Sequence, residues 1–408
     1  MTVAEGTQIP DNLQSRRKLT LAACCSVHGL QDGLSASLYV LLPIFAQAFG
    51  LTYAQIGIIR AANNAAMTLF EIPSGILSER LGERVLLAFG LLSAGVGFLL
   101  IPVTGEFWGL GACLFVVGMG AAFQHALSSS VISQSYPEQG RRSALGIYNS
   151  SGDAGKLIMT ALCSFLIGIE LSWQGVVLGY GVSAILLAVV LFHILYSARV
   201  GGPPPAAYVA SAAAKPRSDW GIRDGRGFTV LSIIVFLVSL VQGTFLTFIA
   251  FVMIEKQVPA GLASLAVVLT LAGGMLGKFG CGFLAERFGI IRSLVLVQLL
   301  AAIGIVSVLI SPTFMSFALL PILGIVLQGS SSITYATVGD LVHSGKQSRA
   351  FALIYSVGSG AAIVGPIGLG YIGDQYGLAP SMTLMAVIML LPIPLCAVLS
   401  PSLAKRTQ

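Results

Sequence analysis

The sequence predicts an all-α integral membrane protein whose twelve transmembrane helices form two pseudo-symmetric six-helix bundles. Three observations lead to this prediction. Hydrophobic residues make up 56% of the chain and charged residues only 9%, whereas about 25% of the residues of soluble domains are charged. Apolar runs of about twenty residues, long enough to cross a bilayer as helices, recur along the chain. A short motif beginning at Gly75 also returns at Gly282, 207 residues later.

Twelve apolar runs follow one another from the N-terminus. The first six lie near residues 19–48, 53–76, 84–104, 107–134, 142–168 and 172–197. The second six lie near residues 227–254, 260–284, 290–310, 313–340, 349–372 and 379–400. Because the number of spans is even, both termini are expected on the same side of the membrane.

The basic residues indicate which side that is. Of the 22 lysines and arginines, 18 fall in one alternate set of loops and tails, one (Lys256) falls in the opposite set, and three lie inside apolar runs. An excess of Lys and Arg marks cytoplasmic loops. The sequence therefore predicts a multi-pass protein of the plasma membrane with both termini in the cytoplasm. If the source is bacterial, that membrane is the inner membrane. The net charge of +6 is explained by topology, and no nucleic-acid partner is expected.

The spans define the predicted domains. They are an N-terminal tail (1–18), a six-helix bundle (19–197), a cytoplasmic linker (198–226), a second six-helix bundle (227–400) and a C-terminal tail (401–408). The linker contains three consecutive prolines and several charges, so it reads as a solvated tether. The remaining loops are only a few residues long, which leaves no room for a soluble catalytic domain.

The repeated motif predicts a gate at the cytoplasmic ends of spans two and eight. Its two copies read Gly-x-Leu-x-Glu-Arg-x-Gly, and a carboxylate there can hold the two halves together and release them. The predicted gate residues are Glu71, Gly75, Glu79, Arg80, Gly82, Arg84, Lys278, Gly282, Glu286, Arg287 and Gly289. Glu71 and Lys278 occupy equivalent positions before the two turns. Because both are expected near the membrane edge, where a lysine can extend its charge to the interface, a gate or structural pair is favoured over substrate contact.

This motif resembles the hallmark loop of the major facilitator superfamily, with Glu79 and Glu286 standing where that family usually has Asp. The resemblance implies the major facilitator fold, in which spans one, four, seven and ten line a central path and spans two, five, eight and eleven lie beside it. It therefore implies a secondary transporter that works by alternating access.

Ionisable residues inside the spans are costly and suggest function. His28 and Asp32 are four residues apart on one helix face, and the predicted proton-coupling residues are Asp32, His28 and His125. With the path-lining spans that the resemblance implies, the predicted substrate-cavity residues are Arg60, Asn63, Asn64, Gln124, Asp153, Lys156, Gln242 and Gln328. Asp153 and Lys156 are three apart, and simple mutual neutralisation is an equal alternative. His193 and His343 are interpreted as incidental.

A narrower resemblance concerns the direction of transport. His28-Gly-Leu-Gln-Asp32, the segment from Leu51 to Gly57, and Phe123-Gln-His125 are similar to the fosmidomycin-resistance branch of the superfamily. This resemblance implies proton-coupled export of a small organic compound such as a drug or metabolite. Uptake of an organic anion or nutrient is the alternative, and an intramembrane enzyme or a non-transporting sensor is a remote one.

Cofactor and metal chemistry is not expected. The chain contains no His-Glu-x-x-His zinc motif and no Gly-x-x-x-x-Gly-Lys-[Ser/Thr] nucleotide-binding loop, which are the signals for a metalloprotease and a nucleotide-driven pump. Its six cysteines form no Cys-x-x-Cys pair, so buried thiols are the simplest interpretation. The expected partners are a small-molecule substrate, protons and the lipid bilayer, and the protein is expected to act as a monomer and not as an enzyme.

Overall fold

The computed structural model describes residues 11–136, 138–203, 222–342 and 347–404. The predicted tail before residue 11, residues 204–221 of the predicted linker, and His343 lie outside the described residues. Within them the fold is helical, and a single isolated bridge between Ile222 and Val342 is the one β contact.

Fifteen α-helices are described. The N-terminal half contains α1 (Asp11–Phe49), α2 (Tyr53–Leu81), α3 (Glu83–Leu100), α4 (Phe107–Ala122), α5 (His125–Ser135), α6 (Glu138–Gly168) and α7 (Trp173–Ser197). The C-terminal half contains α8 (Gly225–Glu255), α9 (Ala260–Ala263), α10 (Leu265–Phe288), α11 (Ile290–Ile310), α12 (Thr313–Val338), α13 (Gln347–Tyr376), α14 (Leu378–Leu390) and α15 (Pro392–Ala404). Three pairs, α4 with α5, α9 with α10 and α14 with α15, each form one interrupted span.

Ten described spans are long and apolar enough to cross a membrane by length and composition. Helices α2 and α6 occupy the second and fifth predicted spans, but charged residues lower their hydropathy. Each is about thirty residues long, 29 and 31 residues respectively, and packs closely against neighbouring helices. The all-helical membrane architecture predicted from the sequence is confirmed, and the described helices are consistent with twelve spans.

The repeated motif has the same backbone in both halves. Helix α2 ends at Leu81 and α10 at Phe288, 207 residues later, and each is followed by a glycine with positive φ: 78° at Gly82 and 87° at Gly289. With ψ near 150° at both, this conformation is open essentially to glycine alone. The glycine lets the chain turn at once into the next helix.

Helices α1 and α6 lie unusually close at mid-membrane. A Cβ atom added to Gly155 of α6 would collide with the backbone of Gly29 on α1. Small residues allow this kind of approach between membrane helices. The short separation brings the ionisable side chains of α1 and α6 within direct contact of each other.

The two halves are joined at one end of the molecule. We call the end where α1 begins and α15 finishes the terminal end, and the other the far end. At the far end, Ser164 and Ser264 share a hydrogen bond of 2.6 Å, and the Tyr53 hydroxyl donates to Glu255 at 3.1 Å. Among the described residues, no hydrogen bond joins the halves nearer to the terminal end than mid-membrane. The protein is therefore closed at the far end and open towards the terminal end.

Each described end of the linker is attached to its own half. The backbone N–H of Arg84 donates to the carbonyl of Gly201 at 2.8 Å. On the other side, the N–H of Arg223 donates to the carbonyl of Leu341 at 2.9 Å, and its guanidinium donates to the carbonyl of Asp340. These contacts anchor the linker beside the repeated turn of the N-terminal half and beside the end of α12.

Candidate functional site

A cavity of about 280 Å³ lies between the two halves at mid-membrane. Both halves contribute side chains to its wall. The polar and charged lining residues are Asp32, Ser35, Tyr39, Arg60, Asn63, Asn64, His125, Asp153, Lys156, Lys278 and Gln328. The apolar lining residues are Ala36, Met67, Ala121, Leu246, Leu271, Gly274 and Met275.

Asp32 is the centre of the charged cluster on this wall. Its side chain is buried, and Lys156 approaches one carboxylate oxygen at 2.9 Å. His28 Nε2 lies 3.3 Å from the same oxygen, and His125 Nε2 lies 3.5 Å from the other. The spacing of four residues between His28 and Asp32 on α1 does place the two groups on one face, as the sequence predicts.

The second nitrogen of His28 determines what this contact can do. His28 Nδ1 lies 2.8 Å from the carbonyl oxygen of Tyr148, and because a carbonyl can only accept, Nδ1 carries the hydrogen. The Nε2 atom of a neutral His28 therefore directs a lone pair at the Asp32 carboxylate. The contact becomes attractive when a proton lies on Nε2 or on the carboxylate.

The charged cluster continues into the other half. Asp153 of α6 lies 3.5 Å from Lys156 on its own helix and 2.5 Å from Lys278 of α10. A continuous chain of ion pairs thus connects Asp32 with the C-terminal half. The hypothesis that Asp153 and Lys156 only neutralise one another is wrong, because Lys156 lies closer to Asp32 and Asp153 lies closer to Lys278.

The position of Lys278 corrects the prediction that pairs it with Glu71 at the gate. The lysine lines the central cavity because its long side chain reaches Asp153. Glu71 is exposed and forms no ion pair with a described residue. Equivalent positions in the two halves thus have different surroundings, since the residue equivalent to Asp153 in the second half is Gly360, which has no side chain to pair.

Two predicted cavity residues instead fasten helices together. Gln124, in the break between α4 and α5, is buried and donates to the hydroxyl of Tyr148 at 2.8 Å. Gln242 of α8 donates to the carbonyl of Leu327 at 2.6 Å and to Ser330 at 3.0 Å. Neither lines the cavity. Arg60, Asn63, Asn64, Asp153, Lys156 and Gln328 do line it, together with Asp32 and His125, while His28 stands behind Asp32.

Sequence reasoning missed Ser35, Ala36 and Tyr39, which follow Asp32 on the cavity wall. They lie three, four and seven residues after Asp32, and this is the spacing of one helix face. Tyr39 accepts a hydrogen bond from Arg60 at 2.9 Å, and the guanidinium carbon lies 4.5 Å from the centre of its ring. Extending the face of α1 from Asp32 would have found all three.

The predicted gate residues on the two repeated turns lie at the terminal end, unlike Lys278. Gly75 and Glu79 line an open cleft of about 950 Å³ together with Arg16 and Arg17 of α1. Arg80, Gly282, Arg287 and Gly289 lie at the same end, on the two repeated turns. Glu79 and Glu286 are exposed, and neither forms an ion pair with any described residue. In this open conformation the two carboxylates have no partner in the part of the chain that the structure describes.

The side chains of the two residues after Gly82 contact other helices of the N-terminal half. Glu83 accepts hydrogen bonds from Ser130 and Gln134, both at 2.8 Å. The guanidinium of Arg84 lies over the rings of Phe192 and Tyr196. This loop therefore fastens α2 and α3 to α5 and α7, in addition to any role as a gate.

His28, Asp32 and His125 also offer ligand atoms that all lie within 4.8 Å of one another, close enough to surround a metal ion. The ammonium group of Lys156, 2.9 Å from Asp32, already supplies a positive charge at this position. This ammonium group would repel a divalent ion held by the same three residues.

A sequence model described as the Major Facilitator Superfamily matches residues 24–231 and again residues 231–407. The chain belongs to this superfamily. Together the two matches cover nearly the whole chain, one for each half.

Similar proteins include transporters of small molecules. The uncharacterized MFS-type transporter YfnC of Bacillus subtilis (strain 168) is 28% identical over 382 residues, covering 90% of this chain and 89% of that protein. A probable 4-methylmuconolactone transporter of Cupriavidus pinatubonensis is 21% identical over 376 residues, covering 90% and 86%. The chain is thus a multi-pass membrane protein of a transporter family whose members act on small solutes.

A solved structure with the same fold is that of a bacterial homologue of the human lysosomal transporter Spinster, in an inward-facing and occupied conformation. It superposes with a TM-score of 0.82 at 18% identity, over 95% of this chain and 98% of that one. At this identity the similarity concerns the fold. The resemblance to the fosmidomycin-resistance branch stays a prediction.

Proposed function

We propose that this protein is a proton-coupled secondary transporter that moves a small organic solute by alternating access, with Asp32 as its proton-binding group. The observation that carries the proposal is the chain of charges that runs from the buried Asp32 through the partly buried Lys156 and Asp153 to Lys278. Charged groups at mid-membrane are costly. This chain also joins the two halves that must separate for the far end to open.

The geometry supports a coupling mechanism. When Asp32 is ionised, Lys156 lies nearer to it than to Asp153. A proton on Asp32 removes that attraction, so Lys156 turns to Asp153 and competes with Lys278 for the same carboxylate. The ion pair between the halves then weakens, and the population shifts towards a conformation open at the far end. His28 and His125, both beside Asp32, supply the route by which the proton enters.

The direction of transport and the orientation in the membrane are parts of the proposal. The segments around His28, Leu51 and His125 favour export. The similarity to a probable 4-methylmuconolactone transporter of Cupriavidus pinatubonensis supports a small organic cargo and leaves uptake as the alternative. The distribution of 18 of the 22 basic residues supports cytoplasmic termini, with the open terminal end facing the cytoplasm.

Purified protein in liposomes provides the test. A pH gradient is imposed, a library of metabolites and antibiotics is added, and proton movement is followed with a pH-sensitive dye inside the vesicles. We expect at least one solute to move protons with the wild-type protein and none to do so with Asp32→Asn. The matched control is Glu106→Gln, which neutralises an exposed carboxylate in a far-end loop and should transport normally.

Two results would contradict the proposal. One is solute accumulation by Asp32→Asn driven by the pH gradient. The other is transport by the wild type at a rate that a pH gradient of either sign leaves unchanged. Vesicles of known orientation report direction in the same experiment, because export drives solute from the side of the termini to the opposite side.

A further inference from the structure

Arg60 is a buried cation without a counter-ion. Its side chain lines the cavity and is only 7% exposed. It donates to Asn63 Oδ1 at 2.6 Å and to the hydroxyl of Tyr39 at 2.9 Å, and both acceptors are neutral. A guanidinium has five N–H groups, and the Nε of Arg60 is buried without an acceptor. No carboxylate among the described residues lies within ion-pair distance of it.

The other cations of the cavity already have partners. Lys156 lies beside Asp32 and Asp153, and Lys278 beside Asp153. Three cations and two carboxylates line the wall, so one positive charge is in excess, and the contacts locate that excess at Arg60. A buried charge is unfavourable unless it is paired. The missing partner is therefore a single negative charge supplied by whatever occupies the cavity.

Gln328 presents a second unsatisfied group from the opposite half. It lies on α12 and lines the cavity over Gly274, and its amide Nε2 is buried without an acceptor in the described structure. Gln242, in the same half, has all its donors directed at α12. An amide that is left unpaired in a polar cavity calls for an oxygen from the ligand.

From these two groups we infer that the substrate is a small monocarboxylate that also carries hydroxyl groups. Arg60 binds the carboxylate through its planar fork of donors, and Gln328 binds a hydroxyl from the other half. A cavity of about 280 Å³ lies at the lower end of small-molecule pockets, which suits a solute of four to six carbons. The inference rests on the proposed function, because it names the solute that such a transporter would carry.

Binding to the purified full-length protein tests the class of ligand. The probes are gluconate with its four- to six-carbon hydroxycarboxylate analogues, hexanoate, which keeps the carboxylate and lacks the hydroxyls, and glucitol, which keeps the hydroxyls and lacks the charge. We expect at least one hydroxycarboxylate to bind about tenfold more tightly than hexanoate, and glucitol to produce no thermal stabilisation. Stabilisation by glucitol or by the amine glucosamine, or by none of the acids, would overturn the inference.

Variants assign the two contacts. Arg60→Gln should weaken binding of the hydroxycarboxylate and of hexanoate alike, by at least about tenfold. Arg60→Lys should recover part of the affinity, since it restores the charge without the fork. Gln328→Ala should leave the affinity for hexanoate unchanged and reduce the ratio of hydroxycarboxylate affinity to hexanoate affinity to nearly one. Both affinities are measured on the same variant, so their ratio does not depend on how stable that variant is.

The control is Arg226→Gln, which removes an exposed arginine at the start of α8 and should bind like the wild type. An unchanged hydroxyl preference in Gln328→Ala would contradict the second contact. The liposome assay separates the two proposals. Proton movement driven by a neutral solute, without binding of any acid, would contradict the inferred substrate class and support the proposed function. Binding of an acid without proton movement would support the substrate class and contradict proton coupling.

Discussion

Asp374 of the C-terminal half caps the first turn of α2 in the N-terminal half, through the backbone of Tyr53. Its two carboxylate oxygens accept hydrogen bonds from the N–H groups of Tyr53 and Ala54, at 2.7 and 2.9 Å. The first N–H groups of a helix have no partner within the helix, and a negative charge there is favoured by the helix dipole. A capping interaction made within one element in most proteins is here made between the two halves, and it fastens the far end.

Asp374→Ala should open the far end more often. The variant loses two charge-assisted hydrogen bonds that exist only when that end is closed, so we expect the open population to rise by about tenfold or more. Ser164→Cys provides the reporter, because Ser164 is buried between the halves and bonded to Ser264. An impermeant maleimide applied from the far-end side should label this cysteine correspondingly faster in Asp374→Ala.

The control for this experiment is Glu106→Ala, which removes an exposed far-end carboxylate outside the contact between the halves. Its labelling rate should equal that of the reporter alone, after subtraction of labelling at the native cysteines. Equal rates in Asp374→Ala and Glu106→Ala would mean that the cap does not hold the far end closed.

The ion pair between Asp153 and Lys278 should contribute measurably to stability in the closed form. A double-mutant cycle with Asp153→Asn and Lys278→Gln isolates the interaction. Because about a third of the lysine side chain is accessible, at 35%, we expect a modest coupling energy of about 1 kcal/mol. Thermal or denaturant unfolding of the purified variants measures it, and additive effects of the two substitutions would contradict a direct interaction.

Because α1 packs closely on α6, substitution by alanine should destabilise the protein far more at Gly155 than at Gly146 of the same helix. The Cβ of Gly155→Ala would overlap the backbone of Gly29, whereas Gly146 on the same helix has open space. We expect Gly155→Ala to lower the free energy of unfolding by about 1–3 kcal/mol and Gly146→Ala to raise it slightly, through helix propensity. If melting temperatures of the two variants agree, the close approach is not important for stability.

Replacing the glycine of each repeated turn by alanine should lower the free energy of unfolding by different amounts in the two halves. Gly82 and Gly289 share positive φ, so each substitution should cost about 1–3 kcal/mol of backbone strain. A Cβ at Gly82 would in addition lie 2.5 Å from the carbonyl carbon of Gly202 in the linker, whereas Gly289 has open space. Unfolding measurements should therefore find Gly82→Ala the more destabilised. The opposite order would mean that the linker does not pack on this turn.

Much of the fold could be predicted because the information is local. Lipid offers no partners for backbone N–H and C=O groups, so an apolar run of about twenty residues must be a helix. A helix period of 3.6 residues likewise places His28 beside Asp32 without any knowledge of other helices. The same reasoning, applied further along α1, would have led from Asp32 to Tyr39.

Contacts between helices could not be predicted in this way. Nothing in the spacing of Lys278 indicates that it faces Asp153, 125 residues earlier, or that Gln242 turns towards α12 and Gln328 towards the cavity. These contacts depend on the distance between the helix axes and on the rotation of each helix. Both are set by packing between helices, at small residues such as Gly155 and Gly274. The sequence by itself determined the helical membrane architecture and the repeat of one half. Only the tertiary structure decided which charges of the cavity are paired and which one, Arg60, has no carboxylate partner among the described residues, because pairing depends on distances of a few ångströms between residues far apart in the chain.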